Sequence, residues 1–122
     1  MRNRADLAGK QAQMTYYNYG EYAEVAYWRK CWNVRHAIMN AIAGGIEDNG
    51  ETSICLEDVY AIIAALETFT EENWDDDSWA YGSIWEWEEY KDHHADNIAR
   101  LKLLALLMED EPDLEVYFYD SY

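Results

Sequence analysis

The chain has 122 residues, half of them apolar, and a formal net charge of −16 from 25 carboxylates against nine lysines and arginines. That length bounds it to one domain around one core, and its apolar and aromatic content excludes a simple acidic disordered tail. The charge argues against direct nucleic-acid binding, which relies on clustered Lys and Arg, and against an anionic membrane surface.

Residues 1–20 are weakly patterned: ADLAGKQAQM suits a short helix, whereas Thr15 to Tyr19 has the aromatic content of a strand. From Glu21 to Ala43 the spacing of Tyr27, Cys31, Val34, Ile38 and Ile42 predicts a helix, widened by Val25, Trp28, Trp32 and Met39 and stopped at Gly44-Gly45. EDNGET (47–52) is a polar turn. A second helix is expected from Leu56, with Cys55 and Asp58 at a capping-box-like spacing, although Ser53 or Thr52 is the better cap type, and with Ile54 and Val59 placed as a hydrophobic staple.

NWDDDS (73–78) breaks the pattern and offers Asp76, Asp77 or Ser78 as the next N-cap. A long third helix, from about Trp79 to Glu109, then carries Trp87, His94, Ile98, Leu101, Ala105 and Met108 on one side. After Pro112 the ending alternates Leu114, Val116 and Phe118; it reads as a strand, with the Tyr16 region as its possible pair, or as an ordered tail. The expected fold is thus mostly α: a single acidic domain over 1–122 like a three-helix bundle, with a short two-stranded element from the Tyr-rich N- and C-terminal segments left open.

The charge is unevenly placed. Residues 1–46 carry six bases and three acids, whereas 47–122 carry three bases and 22 acids. It is densest between Glu67 and Asp96, where Glu67, Glu71, Glu72, Asp75, Asp76, Asp77, Glu86, Glu88, Glu89, Asp92 and Asp96 surround a single lysine. Glu86, Glu89, Asp92 and Asp96 recur every three or four residues, so a helix aligns them on one face, at a cost of a few tenths of a kcal/mol per like-charged pair. A face kept only for solubility avoids that cost by interspersing lysines. Among these acids lie rings suited to anchor a protein partner, namely Trp74, Trp79, Tyr81 and Trp85, since Trp and Tyr stack on guanidinium groups.

Rival chemistries find less support. A calcium loop started at Asp75 places Trp79 at the fifth position and Ala80 where glycine makes the turn. Glu89, His93 and Asp96 share a helical face, yet the Glu-x-x-His spacing of di-iron bundles is absent. Cys31 and His36 are five residues apart, a poor spacing for a nucleophile and its base on one helix. No metal, cofactor or catalytic residue is therefore expected. Cys31 and Cys55 form no CxxC pair, the first residues show no apolar signal core, and no aliphatic run is long enough to span a bilayer, which together suggest a cytoplasmic protein.

Over residues 47–122 the chain resembles, in size, charge and aromatic–acidic character, the phage-encoded DNA-mimic inhibitors: antirestriction proteins, uracil-glycosylase inhibitors and acidic anti-CRISPR proteins. The resemblance is one of composition and involves no motif, and the basic first third departs from it. It implies a stoichiometric, non-enzymatic inhibitor, acting in the host cytoplasm, whose carboxylates take phosphate positions in the basic nucleic-acid-binding groove of a nuclease such as a CRISPR effector or restriction enzyme. The alternative reading is an acidic helical assembly factor or chaperone, as in phage morphogenesis, and after it a metal-binding helical protein. Oligomeric state stays open.

Overall fold

A computed structural model of the chain describes residues 11–18, 21–29, 31–42, 50–74 and 85–121. The elements run β1 (Gln11–Asn18), β2 (Glu21–Arg29), α1 (Trp32–Ala41), β3 (Glu51–Ser53), α2 (Leu56–Leu66), α3 (Trp87–Asp110) and β4 (Glu115–Ser121). The four strands form one antiparallel sheet in the order β2-β1-β4-β3. This is an α+β fold, and it corrects the expectation of a mostly α, three-helix bundle. The Tyr16 region does pair with the C-terminal segment, Tyr16 opposite Val116, but the pair forms the centre of the sheet and not an isolated two-stranded element.

The largest correction falls on Glu21–Arg29. Its apolar residues match a helical stripe, yet EYAEVAYWR is also rich in ring-bearing and β-branched side chains that suit a pleated surface. Pairing along the whole of β1 decides the outcome, and Ala26 and Trp28 are buried two residues apart, the period of a strand. Opposite Met14 stands Ala26, and opposite Thr15 stands Glu24, so Val25 is the extra residue of a bulge. Only the second half of the expected first helix is helical, as α1.

The other two helices lie closer to their sequence pattern. α2 begins at Leu56 behind a Cys55–Asp58 capping box, the Cys55 N–H donating to the Asp58 carboxylate at 3.3 Å. α3 begins at Trp87, behind a second capping box in which the Glu86 N–H donates to Glu89 Oε1 at 3.2 Å. The expected cap at 76–78 and the expected first turn after Trp79 lie outside the described residues.

In β4, Val116, Phe118 and Asp120 are buried, and Val116 and Phe118 join Met14 and Trp28 with Val34, Ile38, Val59, Ile62, Leu66 and Leu101 of the helices in one apolar core. α1 packs on α2, α2 on α3, and α3 on β2. Asp120 is fully buried and is balanced by Arg35 of α1, whose Nε and Nη2 donate to Oδ1 and Oδ2 at 2.9 and 3.1 Å. Among the described residues no helix is long and apolar enough to cross a membrane.

Because Asp120 is sealed from water while Arg35 keeps 15% of its side-chain surface, removing the guanidinium takes two charge-assisted hydrogen bonds from a buried carboxylate. Arg35→Ala should lower the unfolding free energy by about 3 kcal/mol in urea titrations. Arg35→Lys, which keeps the charge but not the two-pronged geometry, should recover only part of that loss.

Candidate acidic face and its aromatic base

The acidic face is held by a turn and a helix start that share one aromatic foundation. At the turn, Asn73 accepts the Thr70 N–H at 2.7 Å and donates to the Thr68 carbonyl at 2.8 Å, fixing the backbone so that Glu71 and Glu72 stay exposed while Trp74 enters the core. Asn33 of α1, fully buried, donates to the Trp74 carbonyl at 3.0 Å. The Trp74 indole in turn donates to the Trp85 carbonyl at 2.7 Å, joining the two flanks of segment 75–84. Tyr90 then stacks between Trp74 and Trp85, with ring centroids 5.2 and 6.2 Å away.

His94 completes this base. It is 3% exposed, with the rings of Phe69, Trp74 and Trp87 at centroid distances of 5.7, 5.7 and 5.9 Å. Its Nε2 lies 2.9 Å from the Leu66 carbonyl, which requires the proton on that nitrogen. Burial pushes the imidazole pKa below its usual value, the carbonyl partly opposes this, and neighbouring His93 adds to the depression.

Every expected acidic residue within the described segments is exposed: Glu67, Glu71, Glu72, Glu86, Glu88, Glu89, Asp92 and Asp96. They do not act as one uniform row. Glu67 binds Lys102 at 3.1 Å and Asp96 binds Arg100 at 2.8 Å. Glu88 binds Lys91 at 2.9 Å. That hydrogen bond, then the charges of Glu88, Asp92 and Glu71, hold the Lys91 pKa above its ordinary value against the opposing effect of desolvation. Glu88 and Glu89 also sit where the helix dipole favours acids.

The rings expected on the surface fare differently. Trp74 is fully buried, and Trp85 is partly buried against the core, so these two support the face from beneath. Asp75, Asp76, Asp77, Trp79 and Tyr81 lie outside the described residues. Tyr90, one of the rings lying among the acids in sequence, is 6% exposed and falls on the α3 core face, four residues before His94. Among the described residues no group of three His, Cys, Asp or Glu is placed to hold a metal ion. His93, considered as a ligand from its spacing, lies with Nε2 at 3.1 Å from the Tyr27 carbonyl of β2.

Comparison with protein-family models, with curated proteins and with solved structures returned no match.

A buried histidine with a depressed pKa takes up its proton less readily folded than unfolded. The stability it contributes is present above the unfolded value of about 6.5 and is lost as pH falls through the lower folded value. The gap in unfolding free energy between the native chain and His94→Gln should therefore narrow below about pH 6.5. A gap that stays constant or widens in urea titrations across that range contradicts the assignment.

Proposed function

We propose that the protein is a non-enzymatic inhibitor that occupies the basic nucleic-acid-binding groove of a nuclease, such as a CRISPR effector or restriction enzyme, and acts in the cytoplasm. The observation that carries the reading is the exposed set of Glu71, Glu72, Glu86, Glu88, Glu89 and Asp92, with Lys91 the one cation among them in the described residues, on a base of buried rings. Along α3, carboxylates three or four residues apart rise about 5 Å per charge, of the same order as the ~3.4 Å between phosphates of one DNA strand. The stacked Trp74, Tyr90 and Trp85 fix the patch, so little ordering is needed on contact.

The assembly-factor reading finds one supporting observation, two leucines on the exposed side of α3, Leu103 and Leu106. The readings separate by salt. Binding to a nuclease groove should weaken on the order of tenfold or more between about 50 and 500 mM salt, whereas apolar docking should not weaken.

Glu86 and Glu89 cap α3, so reversing their charge confounds stability with binding. Lysine at Glu71, Glu72 and Asp92 leaves that cap, the dipole-favoured Glu88 and its pair with Lys91 in place. The combined variant should lose inhibition of nuclease cleavage, scored over a panel of CRISPR effectors and restriction enzymes, while its thermal midpoint does not fall. Full inhibition by a folded variant sinks the proposal.

A further inference from the structure

α3 has a second side. Its core residues Tyr90, His94, Asn97, Leu101, Leu104, Ala105 and Met108 occupy one face of the helix. At about 100° per residue, Ala95, Ala99, Leu103 and Leu106 cluster nearly opposite. All four are exposed, Leu103 at 67% and Leu106 at 58%. The same exposed line continues into Glu88 and Asp92 at one end and Asp110 at the other, all three exposed. The nearby cations are already engaged, Arg100 by Asp96 and Lys102 by Glu67. Beside the line runs a groove of about 280 Å³ between α3 and β2, lined mainly by apolar side chains, Leu103, Leu107, Tyr16 and Val25 among them, together with Glu24 and Arg100.

We propose that this stripe is a docking site for an amphipathic helix of a partner protein, apolar over its middle turns and basic at both ends. Twelve residues of helix, Ala95 to Leu106, give an apolar track of about 16 Å, enough for anchors at i, i+3 or i+4, and i+7. The acids at both ends then meet the partner's lysines or arginines, and one apolar anchor enters the groove beside Leu103. A second copy of this chain fits poorly: laid antiparallel along the stripe it sets Asp92 against Asp110, and laid parallel it sets each acid against itself, on top of a charge of −16 per copy. An anionic bilayer is disfavoured by the same acids. The stripe shares only Glu88 and Asp92 with the proposed inhibitory face and does not depend on it.

The test uses the full chain and three synthetic peptides of about 18 residues, long enough to cover the track as a helix. The first has leucines at i, i+3, i+4 and i+7 in its middle and lysines at both ends. The second is its scrambled isomer, and the third carries glutamates in place of the lysines. Calorimetry should show saturable binding of the first peptide alone, and amide shifts should concentrate at Ala99, Leu103, Leu106 and Val25. Leu103→Ser with Leu106→Ser, both at exposed positions, should weaken it on the order of tenfold or more. Lysine at Glu71 and Glu72 should leave it within about twofold, because those positions lie off the stripe.

Equal binding of the scrambled isomer, an unchanged affinity of the double serine variant, or no binding of the first peptide overturns the assignment. So does a native dimer in sedimentation that the serine variant converts to monomer, since the stripe then belongs to a second copy. Loss of nuclease inhibition in the Glu71 and Glu72 variant with peptide binding intact separates this surface from the proposed inhibitory one.

Discussion

Gln11 lies opposite Ser121 and Tyr17 opposite Glu115, so hydrogen bonds between the first and last strands close the fold. Everything else depends on that closure. β1 hands β2 outward to α3, and β4 carries Asp120 to Arg35 and takes β3 on its far side. Such a pairing closes a loop of nearly the whole chain before any contact rewards it, although the entropy rises only slowly with loop length. The helices can form locally; the surface on which they stand cannot. The acidic end of α3 faces outward because its opposite side packs on α2, whose burial partners are set by that sheet.

How much of this was legible in the sequence depends on whether a residue's fate was decided locally. α2 was readable from Cys55, Asp58 and its apolar stripe, and the core side of α3 from His94, Leu101, Ala105 and Met108. The exposure of the acids was readable too, since unpaired carboxylates are rarely buried. Tyr27 and Trp28 were not, because a period of 3.6 and a period of 2 both fit so short a ring-rich run, and only the distant β1 chooses between them. Asp120 was hidden for the same reason: its partner Arg35 is 85 residues away. Trp74 sits among acids in a turn-forming stretch, and nothing local marks it as the most enclosed ring of its cluster. The exposed leucines left one unread clue, namely that residues 101–108 hold more apolar side chains than one helix face can bury.

The electrostatics follow from how few cations are available. Among residues 47–122 the three bases are Lys91, Arg100 and Lys102, all on α3 and all engaged with a carboxylate. Exposed pairs of this kind contribute little to stability, with a median near zero to one kcal/mol. Their effect is on pattern: Arg100 and Lys102 offset acids at the middle of α3, Lys91 offsets one acid at its start, and both ends stay negative. Tyr60 of α2 adds a contact at the far end, its hydroxyl donating to Glu109, which holds the phenol pKa above its usual value. The last turn of α3 carries acids and no base, against the helix dipole, so nothing intrinsic to the helix accounts for negative charge there.

The His93 and Asn97 side chains, both 3.1 Å from the Tyr27 carbonyl, bear on a different hazard. A sheet rich in tyrosine with two open margins is a template onto which further strands can add, the route to cross-β polymers. Here one margin, β2, is bulged at Val25 and occupied by α3 at Tyr27, and the other, β3, is only three residues long. Strong like charge on every copy adds a further barrier. The chain can therefore carry a strand composition that elsewhere favours fibrils while both margins of the described sheet are poor templates for a further strand.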